Sequence, residues 1–261
     1  MWYVSQHPQC LNPPKHLTDV TAWHQHIPFA FFITSLHRPS LFVELGVHAG
    51  DSYLAFCEGL VGSGLASYGP MGLLDTRVVP GTYRAVGIDT FEGDSHSGFY
   101  PAGVLEMLQK AHNPDYGAFS KLLVSTFDDA QPKFADGTID LLHIDGCHTY
   151  EAVKHDFENW LPKLSNRGVV LFHDTAITDN PSFGVWRFWR EVQANVPGRY
   201  PGGFSFSHGN GLGCLVVGSE AKDVLAFCKA ERNSDGEWLR GFFRTLGTRI
   251  TLSEPELFGR G

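Results

Sequence analysis

The chain has 261 residues, enough for one large domain or two small ones, and its 43% hydrophobic and 18% charged content is typical of a packed globular protein. Its formal net charge of -8 and the absence of a lysine and arginine cluster argue against a nucleic-acid partner, because phosphate binding needs a basic surface. The sequence has no uncharged apolar stretch of the roughly 18 residues that span a bilayer, so no membrane association is predicted.

Cysteine usage and the first residues favour a cytoplasmic protein. The five cysteines are scattered and never in CxxC spacing, so neither a disulfide framework nor a structural zinc site is predicted. A reducing compartment fits this pattern best. The first eight residues lack the basic segment followed by an apolar run that a signal peptide has.

Hydrophobic periodicity and turn residues divide the chain into alternating strands and helices. Strands are predicted at residues 41–45, 83–89, 121–125, 138–144, 169–172, 204–206 and 212–217. Helices are predicted at residues 21–36, 51–60, 102–111, 127–134, 150–164, 183–196, 221–228 and 237–245. Residues 61–81 are predicted as a loop insertion, and residues 91–100 as a mobile loop.

Strands that alternate with helices indicate an α/β protein with a parallel, doubly wound sheet. The last two strands form a predicted hairpin, which adds an antiparallel edge. We expect a core at residues 41–220, with a helical N-terminal extension at residues 1–40 and a helical tail at residues 221–261.

The first motif is a strand that leads through Gly46 and Gly50 into a helix starting near Ser52. Glycines let the backbone approach a ligand closely, and the helix start offers free N–H groups. Glu44 would end its strand near the ligand, where a carboxylate suits a cationic amine. The spacing is not the G-x-G-x-x-G dinucleotide fingerprint. The alternative is a tight strand-to-helix turn without a ligand.

The second motif is the strand that ends at Asp89, followed by Thr90 and Phe91. An acidic residue one βαβ step after a glycine turn suits two ribose hydroxyls. Asp89 follows Gly50 by 39 residues, against about 20 in the dinucleotide pattern, and the predicted insertion accounts for the excess. The alternative is an aspartate that caps a helix.

The third motif is an apolar strand that runs into Asp145, Gly146 and His148. In an open α/β sheet, ligands sit beyond the carboxyl ends of the strands. Asp145 and His148 therefore place a potential metal or cofactor carboxylate beside a potential base.

Taken in order, four segments resemble class I S-adenosylmethionine-dependent methyltransferases, and most closely the methyltransferase 24 family. The segments are Val-Glu-Leu-Gly-x-x-x-Gly, Gly-Ile-Asp-Thr-Phe, His-Ile-Asp-Gly-x-His-x-Tyr and Gly-Val-Val-Leu-Phe-His-Asp. The resemblance covers about residues 20–217. It implies a Rossmann-like, doubly wound seven-stranded sheet, mostly parallel with one antiparallel edge strand.

The resemblance also implies which residues bind S-adenosylmethionine. Glu44, Gly46 and Gly50 would flank its methionine part, and Asp89 would hold the ribose. Thr90 and Phe91 would lie near the adenine, and the segment Ser125-Thr126-Phe127 would line its other face. The remaining predicted cofactor-binding residues are Ser52 and Asp145.

Related metal-dependent O-methyltransferases hold Mg²⁺ with a carboxylate after strand four and an acidic pair after strand five. Here Asp145 matches the first position, and His173 and Asp174 occupy the second. These three residues are the predicted ligands of Mg²⁺ or another divalent metal, since a histidine ligand shifts preference toward transition metals. Two alternatives stay open: His173 lies outside the metal shell, or both aspartates only shape the pocket.

His148 is the predicted catalytic base, with Asp145 beside it as the second catalytic residue. A neutral imidazole near pH 7 accepts a proton from a hydroxyl, and similar enzymes have a histidine three residues after the metal aspartate. The alternative is that His148 only orients the substrate or supports the structure.

The resemblance implies O-methylation of a small polar acceptor, a sugar or glycosylated natural product, with a homodimer as one possible assembly. N-methylation, or a non-catalytic cofactor-binding partner of a biosynthetic enzyme, are the alternatives. The aromatic helix that contains Trp23 is predicted either to pack in the core or, as in similar methyltransferases, to cover the site. Residues 92–100 are either a lid or an inert surface loop, and residues 208–211 are predicted as a simple hairpin turn.

Overall fold

The computed structural model describes residues 2–67, 84–94 and 98–257. Most of the predicted loop insertion, the first residue of the predicted second strand and the middle of the predicted lid lie outside the described residues. On either side of that last gap, Gly93–Asp94 and Gly98–Phe99 pair as a short antiparallel ribbon.

The described residues form the expected seven-stranded sheet, in the order β3-β2-β1-β4-β5-β7-β6. Only β7 runs against its neighbours, and it lies between β5 and β6, one position in from the edge. The strands are β1 Phe42–Leu45, β2 Ala85–Asp89, β3 Ser120–Val124, β4 Ile139–Ile144, β5 Leu164–His173, β6 Gly202–Phe206 and β7 Leu212–Val216. The predicted fold class is confirmed.

Helices connect the strands and cover the sheet. The α-helices are α1 Trp2–Ser5, α2 Ile27–His37, α3 Asp51–Gly62, α4 Val104–Tyr116, α5 Phe127–Ala130, α6 Tyr150–Trp160, α7 Val185–Ala194, α8 Lys222–Cys228 and α9 Ser234–Leu257. Short 3-10 helices span Pro8–Leu11, Thr21–His26, Gln131–Lys133, Leu161–Lys163 and Lys229–Arg232. None of the described helices combines the length and hydropathy needed to cross a bilayer.

Each face of the sheet has its own apolar core, because side chains alternate along a strand. Phe42 packs on one face with residues of α2, α3, α8 and α9, whereas Val43 packs on the other with residues of α6 and α7. The central strands are buried on both faces, as parallel sheets require. This burial fixes where each strand ends.

The boundary between α6 and β5 differs from the prediction. A helix was predicted through residue 164, but α6 ends at Trp160 and β5 already begins at Leu164. Pro162 lies in the intervening 3-10 helix and has no N–H to continue an α-helical ladder. Leu164 fits the apolar spacing of the helix and is also buried as the first residue of β5, so hydrophobic periodicity could not identify the boundary.

Four parallel strands end at the same edge of the sheet. Leu45 of β1 is level with Ile88 of β2 and Ile144 of β4, and Ile144 is level with Phe172 of β5. The residues that follow these positions therefore meet at one edge. That edge holds the predicted functional residues.

Candidate active site

The turn after β1 is built around two glycines with positive φ angles, +89° at Gly46 and +97° at Gly50. A Cβ atom on Gly46 would lie 2.1 Å from the carbonyl oxygen of Asp145. On Gly50 it would lie 2.3 Å from a methyl carbon of Leu108. These contacts mean that only glycine fits, and that the turn packs directly on the end of β4.

Asp89 holds this turn in place. One carboxylate oxygen accepts hydrogen bonds from the backbone N–H groups of Val47 (2.8 Å) and His48 (2.9 Å). The other oxygen accepts from the N–H of Phe91 at 2.8 Å. Asp89 therefore holds the glycine turn after β1 against the first residues after β2.

The glycine turn opens onto a cavity of about 620 Å³ at the carboxyl ends of the strands. Its walls come from the carboxyl ends of β1, β2, β4 and β5, from the 3-10 helix Thr21–His26 and from the turn between β6 and β7. Among its lining residues are Gly46, Gly50, Ser52, Asp89, Thr90, Phe127, Asp145, His148, His173 and Asp174. The cavity is large enough for a small-molecule ligand.

Asp145, His148 and Asp174 converge at the floor of this cavity. One ligand atom from each lies within 4.8 Å of the other two, a spacing at which they could hold a metal ion. Oδ1 of Asp174 is buried and has no hydrogen-bond partner among the described residues. Asp174 also has a left-handed φ of +59°, which costs energy in a non-glycine residue and is typical of functional positions.

His173 lies behind this group rather than in it. Its Nδ1 faces Oδ1 of Asp145 at 3.2 Å and Oδ1 of Asp174 at 3.5 Å, and its Nε2 donates to the carbonyl of Gly209 at 3.2 Å. Of the predicted metal ligands, the structure therefore groups Asp145 and Asp174 with His148 instead of His173. Strand alternation explains the difference, because successive residues point to opposite faces.

The charges around His173 reinforce one another. Burial alone would lower the pKa of His173, but the facing carboxylates of Asp145 and Asp174 raise it to about 9. Burial alone would raise the pKa of Asp145, but the His173 imidazolium outweighs it and lowers that pKa to about 2. In the absence of a metal, the group thus holds an ion pair of imidazolium and carboxylate.

His148 is oriented by contacts on two sides. Its ring stacks on Phe183 with centroids 4.6 Å apart and an interplanar angle of 5°, and its Nε2 lies 3.0 Å from Oδ2 of Asp174. The Gly184 N–H donates to the backbone carbonyl of His148 at 2.7 Å. Burial lowers the pKa of His148, but the bond to Asp174 more than compensates and the net shift is upward.

Residues 43–175, just over half of the chain, match a family model described as a methyltransferase domain. The chain belongs to this methyltransferase family. Its seven-stranded sheet and its order of motifs are those of class I S-adenosylmethionine-dependent methyltransferases.

The chain is also similar to individual proteins. The uncharacterized protein y4gI of Sinorhizobium fredii is 39% identical over 216 residues, which are 83% of this chain but 21% of the relative, so the chain spans about a fifth of its length. A candidate O-methyltransferase from Klebsiella pneumoniae is similar in structure, with a TM-score of 0.50, 13% identity and coverage of 83% of this chain and 88% of that one. An O-methyltransferase from Bacillus cereus, in complex with SAH, has a TM-score of 0.49, 14% identity and coverage of 83% and 91%.

Three predicted cofactor residues of the methyltransferase domain do not line the cavity. Glu44 is buried beneath the glycine turn, where Oε1 accepts from the Ser52 hydroxyl at 2.6 Å and Oε2 lies 3.1 Å from Nδ1 of His143. Burial raises the pKa of Glu44, and His143 opposes the shift. Glu44 is in register with His143 inside the sheet, so its side chain supports Ser52 rather than facing the cavity.

The other two are Phe91 and Ser125. Phe91 packs against the apolar core on the α3 face, and Ser125 contributes a backbone N–H to the carbonyl of Asp89 at 3.0 Å. The other two residues of this predicted segment, Thr126 and Phe127, do line the cavity.

Three further residues line the methyltransferase cavity although they are not among the predicted site residues: Trp23, Phe183 and Asn210. Trp23 is 4% exposed and belongs both to the core and to the cavity wall, while Phe183 and Asn210 complete the wall near His148. The only sequence signal was an aromatic helix and an Asn-Gly turn. Neither pattern states which part of the sheet edge the segment covers.

Proposed function

We propose that this protein transfers a methyl group from S-adenosylmethionine to a hydroxyl oxygen of a small polar molecule, a sugar or glycosylated natural product, assisted by Mg²⁺ or another divalent metal. The observation that carries the proposal is the convergence of Asp145, His148 and Asp174 beside the glycine turn of a methyltransferase domain. Ligands of open α/β sheets bind at this edge.

The β1, β2 and β3 side of the cavity is the proposed S-adenosylmethionine site. Gly46 and Gly50 line the cavity, and the first N–H groups of α3 would be offered to a ligand carboxylate. Asp89 would receive the ribose hydroxyls on the lone pairs that its three backbone partners leave. When bound, S-adenosylmethionine supplies a sulfonium methyl group to an aligned nucleophile.

The proposed metal site uses one oxygen from each aspartate. Oδ2 of Asp174 faces His148, and Oδ1 of both aspartates faces His173, at 3.2 Å for Asp145 and 3.5 Å for Asp174. An ion would take Oδ2 of Asp145 and Oδ1 of Asp174, which accepts no hydrogen bond among the described residues. Carboxylate oxygens suit Mg²⁺ and Mn²⁺, so the residues present fit the group. A bound divalent ion would lower the pKa of a coordinated hydroxyl.

His148 is the proposed general base. Its Nε2 faces a carboxylate, which only accepts hydrogen bonds, so this nitrogen carries the proton and Nδ1 carries the lone pair. Nδ1 would take the proton of the acceptor hydroxyl, and Asp174 would stabilise the imidazolium that results. The stacked Phe183 keeps the ring from turning away. Alignment of nucleophile and methyl group supplies the rest of the rate enhancement.

The proposal is tested by transfer of radiolabelled methyl from S-adenosylmethionine to a panel of sugars and glycosylated natural products, with and without a chelator. We expect label in an ether linkage, and loss of transfer when the chelator is present. Label in an amine, insensitive to the chelator, would contradict O-methylation and favour N-methylation. Label in an ether that survives chelation would overturn the metal assistance alone.

A further inference from the structure

Two buried histidines from distant parts of the chain share one backbone acceptor. Nε2 of His26 lies 2.8 Å from the carbonyl oxygen of Gly209, and Nε2 of His173 lies 3.2 Å from the same atom. Both side chains are almost completely buried. Because a carbonyl oxygen only accepts, each of these nitrogens donates a hydrogen bond to it.

The contacts continue from this carbonyl to the proposed metal site. Nδ1 of His173 lies 3.2 Å from Oδ1 of Asp145. The connected series is therefore His26, Gly209, His173 and Asp145. It begins on the 3-10 helix Thr21–His26 and ends at a carboxylate of the proposed metal site. Each link is a hydrogen bond made by a buried histidine, so breaking one would leave a buried polar group unpaired.

The turn that carries the shared carbonyl is fixed in position. Gly209 has a φ of +55°, and a Cβ atom there would lie 2.8 Å from Nε2 of His26, so the approach of the two segments requires glycine. The next residue, Asn210, accepts a hydrogen bond from the N–H of Ala176 at 2.8 Å, just after β5. The carbonyl is thus held between the N-terminal segment and the end of β5.

We propose that His26 and His173, joined through the Gly209 carbonyl, are positioning residues that fix the Asp145 carboxylate for metal binding. The proposal rests on the metal site of the proposed function. Groups that hold a metal ligand by hydrogen bonds typically contribute 10–100-fold to metal affinity. We expect that effect from His173, and a smaller one of the same sign from His26, which acts through one further bond.

The test is calorimetric titration of the full chain with Mn²⁺ in the presence of saturating S-adenosylhomocysteine. His26→Phe keeps the aromatic volume beside Phe206 but removes the donor, and should weaken Mn²⁺ binding by about 10-fold. His26→Gln retains an N–H donor and should recover most of the affinity. In the double variant with His173→Phe, the loss should be less than the product of the two single losses.

His37→Phe is the matched control. Nε2 of His37 also donates to a backbone carbonyl, that of Asp140 at 2.9 Å, and the ring is equally buried, but Asp140 lies near the opposite end of β4. This variant should bind Mn²⁺ as the unsubstituted protein does. S-adenosylhomocysteine affinity, measured for every variant, reports whether the fold is intact.

The outcomes separate this proposal from the function itself. Unchanged Mn²⁺ affinity in His26→Phe, or an equal loss in His37→Phe, would overturn the positioning role while the metal site stands. If His26→Phe no longer binds S-adenosylhomocysteine, its fold is disturbed and the His173→Phe variant decides the question. A loss of less than threefold in the Mn²⁺ affinity of His173→Phe would overturn the proposal. An unsubstituted protein that binds S-adenosylhomocysteine but no Mn²⁺ would overturn the metal site and this proposal together.

Discussion

At the scale of single residues, the site depends on how two carboxylates divide their oxygens. Asp145 gives one oxygen to His173, and Asp174 gives one to His148. In the proposed function an ion would take Oδ2 of Asp145 and Oδ1 of Asp174, the second of which also faces His173 at 3.5 Å. The proposal gives the two histidines different tasks: His148 is the base, and His173 supports the Asp145 carboxylate from behind.

Replacing His148 by Ala tests its task as a base. The change should lower turnover by about 100- to 10,000-fold, because proton removal would lose its acceptor. S-adenosylhomocysteine affinity should stay the same, since the glycine turn is untouched. Steady-state kinetics and calorimetry measure the two quantities. Equal losses in both would point to a structural role, and a parallel loss of Mn²⁺ binding would make His148 a ligand.

Gly46→Ala tests the close approach of the glycine turn to β4. The added Cβ would meet the Asp145 carbonyl at 2.1 Å on a backbone with a φ of +89°. We expect a loss of about 2–4 kcal/mol in the free energy of unfolding, from left-handed strain and overlap. The control is Gly241→Ala in α9, where a Cβ meets nothing within 4 Å and helix propensity predicts a gain of about 1 kcal/mol.

Urea unfolding curves measure both glycine variants. If Gly46→Ala unfolds at the same urea concentration as the unsubstituted protein, the backbone contact with β4 does not constrain the turn. Weaker S-adenosylhomocysteine binding in the same variant would link the turn to the cofactor site.

The sequence was sufficient to name the residues at the sheet edge but not the direction of every side chain. Asp145, His148 and Asp174 follow buried strands, so their convergence could be predicted from the topology. Glu44 and His173 lie within two residues of the strand ends, but the pleat of the strand turns Glu44 away from the predicted cofactor site and His173 away from the predicted metal site. A pattern of residue types does not encode that orientation at a strand end.

At the scale of elements, α6 carries an unusual buried carboxyl group. Asp156 is 7% exposed and lies under the backbone of Gly146, next to the cavity. Burial raises the pKa of Asp156 to about 7, and the charge of Asp128 adds to the shift. The folded protein therefore holds a proton on Asp156 more tightly than the unfolded chain does.

Asp156 should make stability fall as pH rises. A folded pKa above the unfolded value of 3.8 means that the full stability is present below about pH 4 and is lost between about pH 4 and 7. Each pKa unit is worth about 1.4 kcal/mol, so the loss is on the order of a few kcal/mol. Asp156→Asn, which cannot ionise, should unfold at a higher urea concentration than the unsubstituted protein at pH 8 and at a similar one at pH 4.5.

Asp179→Asn is the control for this comparison, because Asp179 is exposed on the loop after β5. It should leave the pH dependence unchanged. Equal shifts in the two variants would show that overall charge, and not burial of the α6 carboxyl, sets the pH dependence.

The end of an element could be predicted where its apolar residues fit only one kind of secondary structure. It could not be predicted where they fit both a helix and a strand. The β1, β2 and β4 limits follow from short apolar runs between turn residues. The predicted end of α6 was wrong because Leu164 continues the apolar spacing of the helix, whereas in the structure it is buried as the first residue of β5. The covering of the site by the β6–β7 turn was not predictable, since it depends on contacts between Gly209 and a histidine 183 residues away.

At the scale of the whole molecule, alternation of strands and helices was enough to predict the sheet. It was not enough to predict that α2, α8 and α9 share one core. Phe29 of α2 lies 5.4 Å from Phe243 of α9, and Phe32 lies 5.5 Å from Phe227 of α8, between ring centroids. These contacts join residues from both ends of the described chain, and a sequence pattern carries no information on such pairings.

The measurement that most directly tests the central claim is calorimetric titration of the full chain with S-adenosylhomocysteine. We expect saturable binding at one site, weakened at least tenfold by Asp89→Asn, since that change disturbs the three backbone contacts that hold the glycine turn. Absence of binding at millimolar ligand would contradict S-adenosylmethionine-dependent methyl transfer at this cavity.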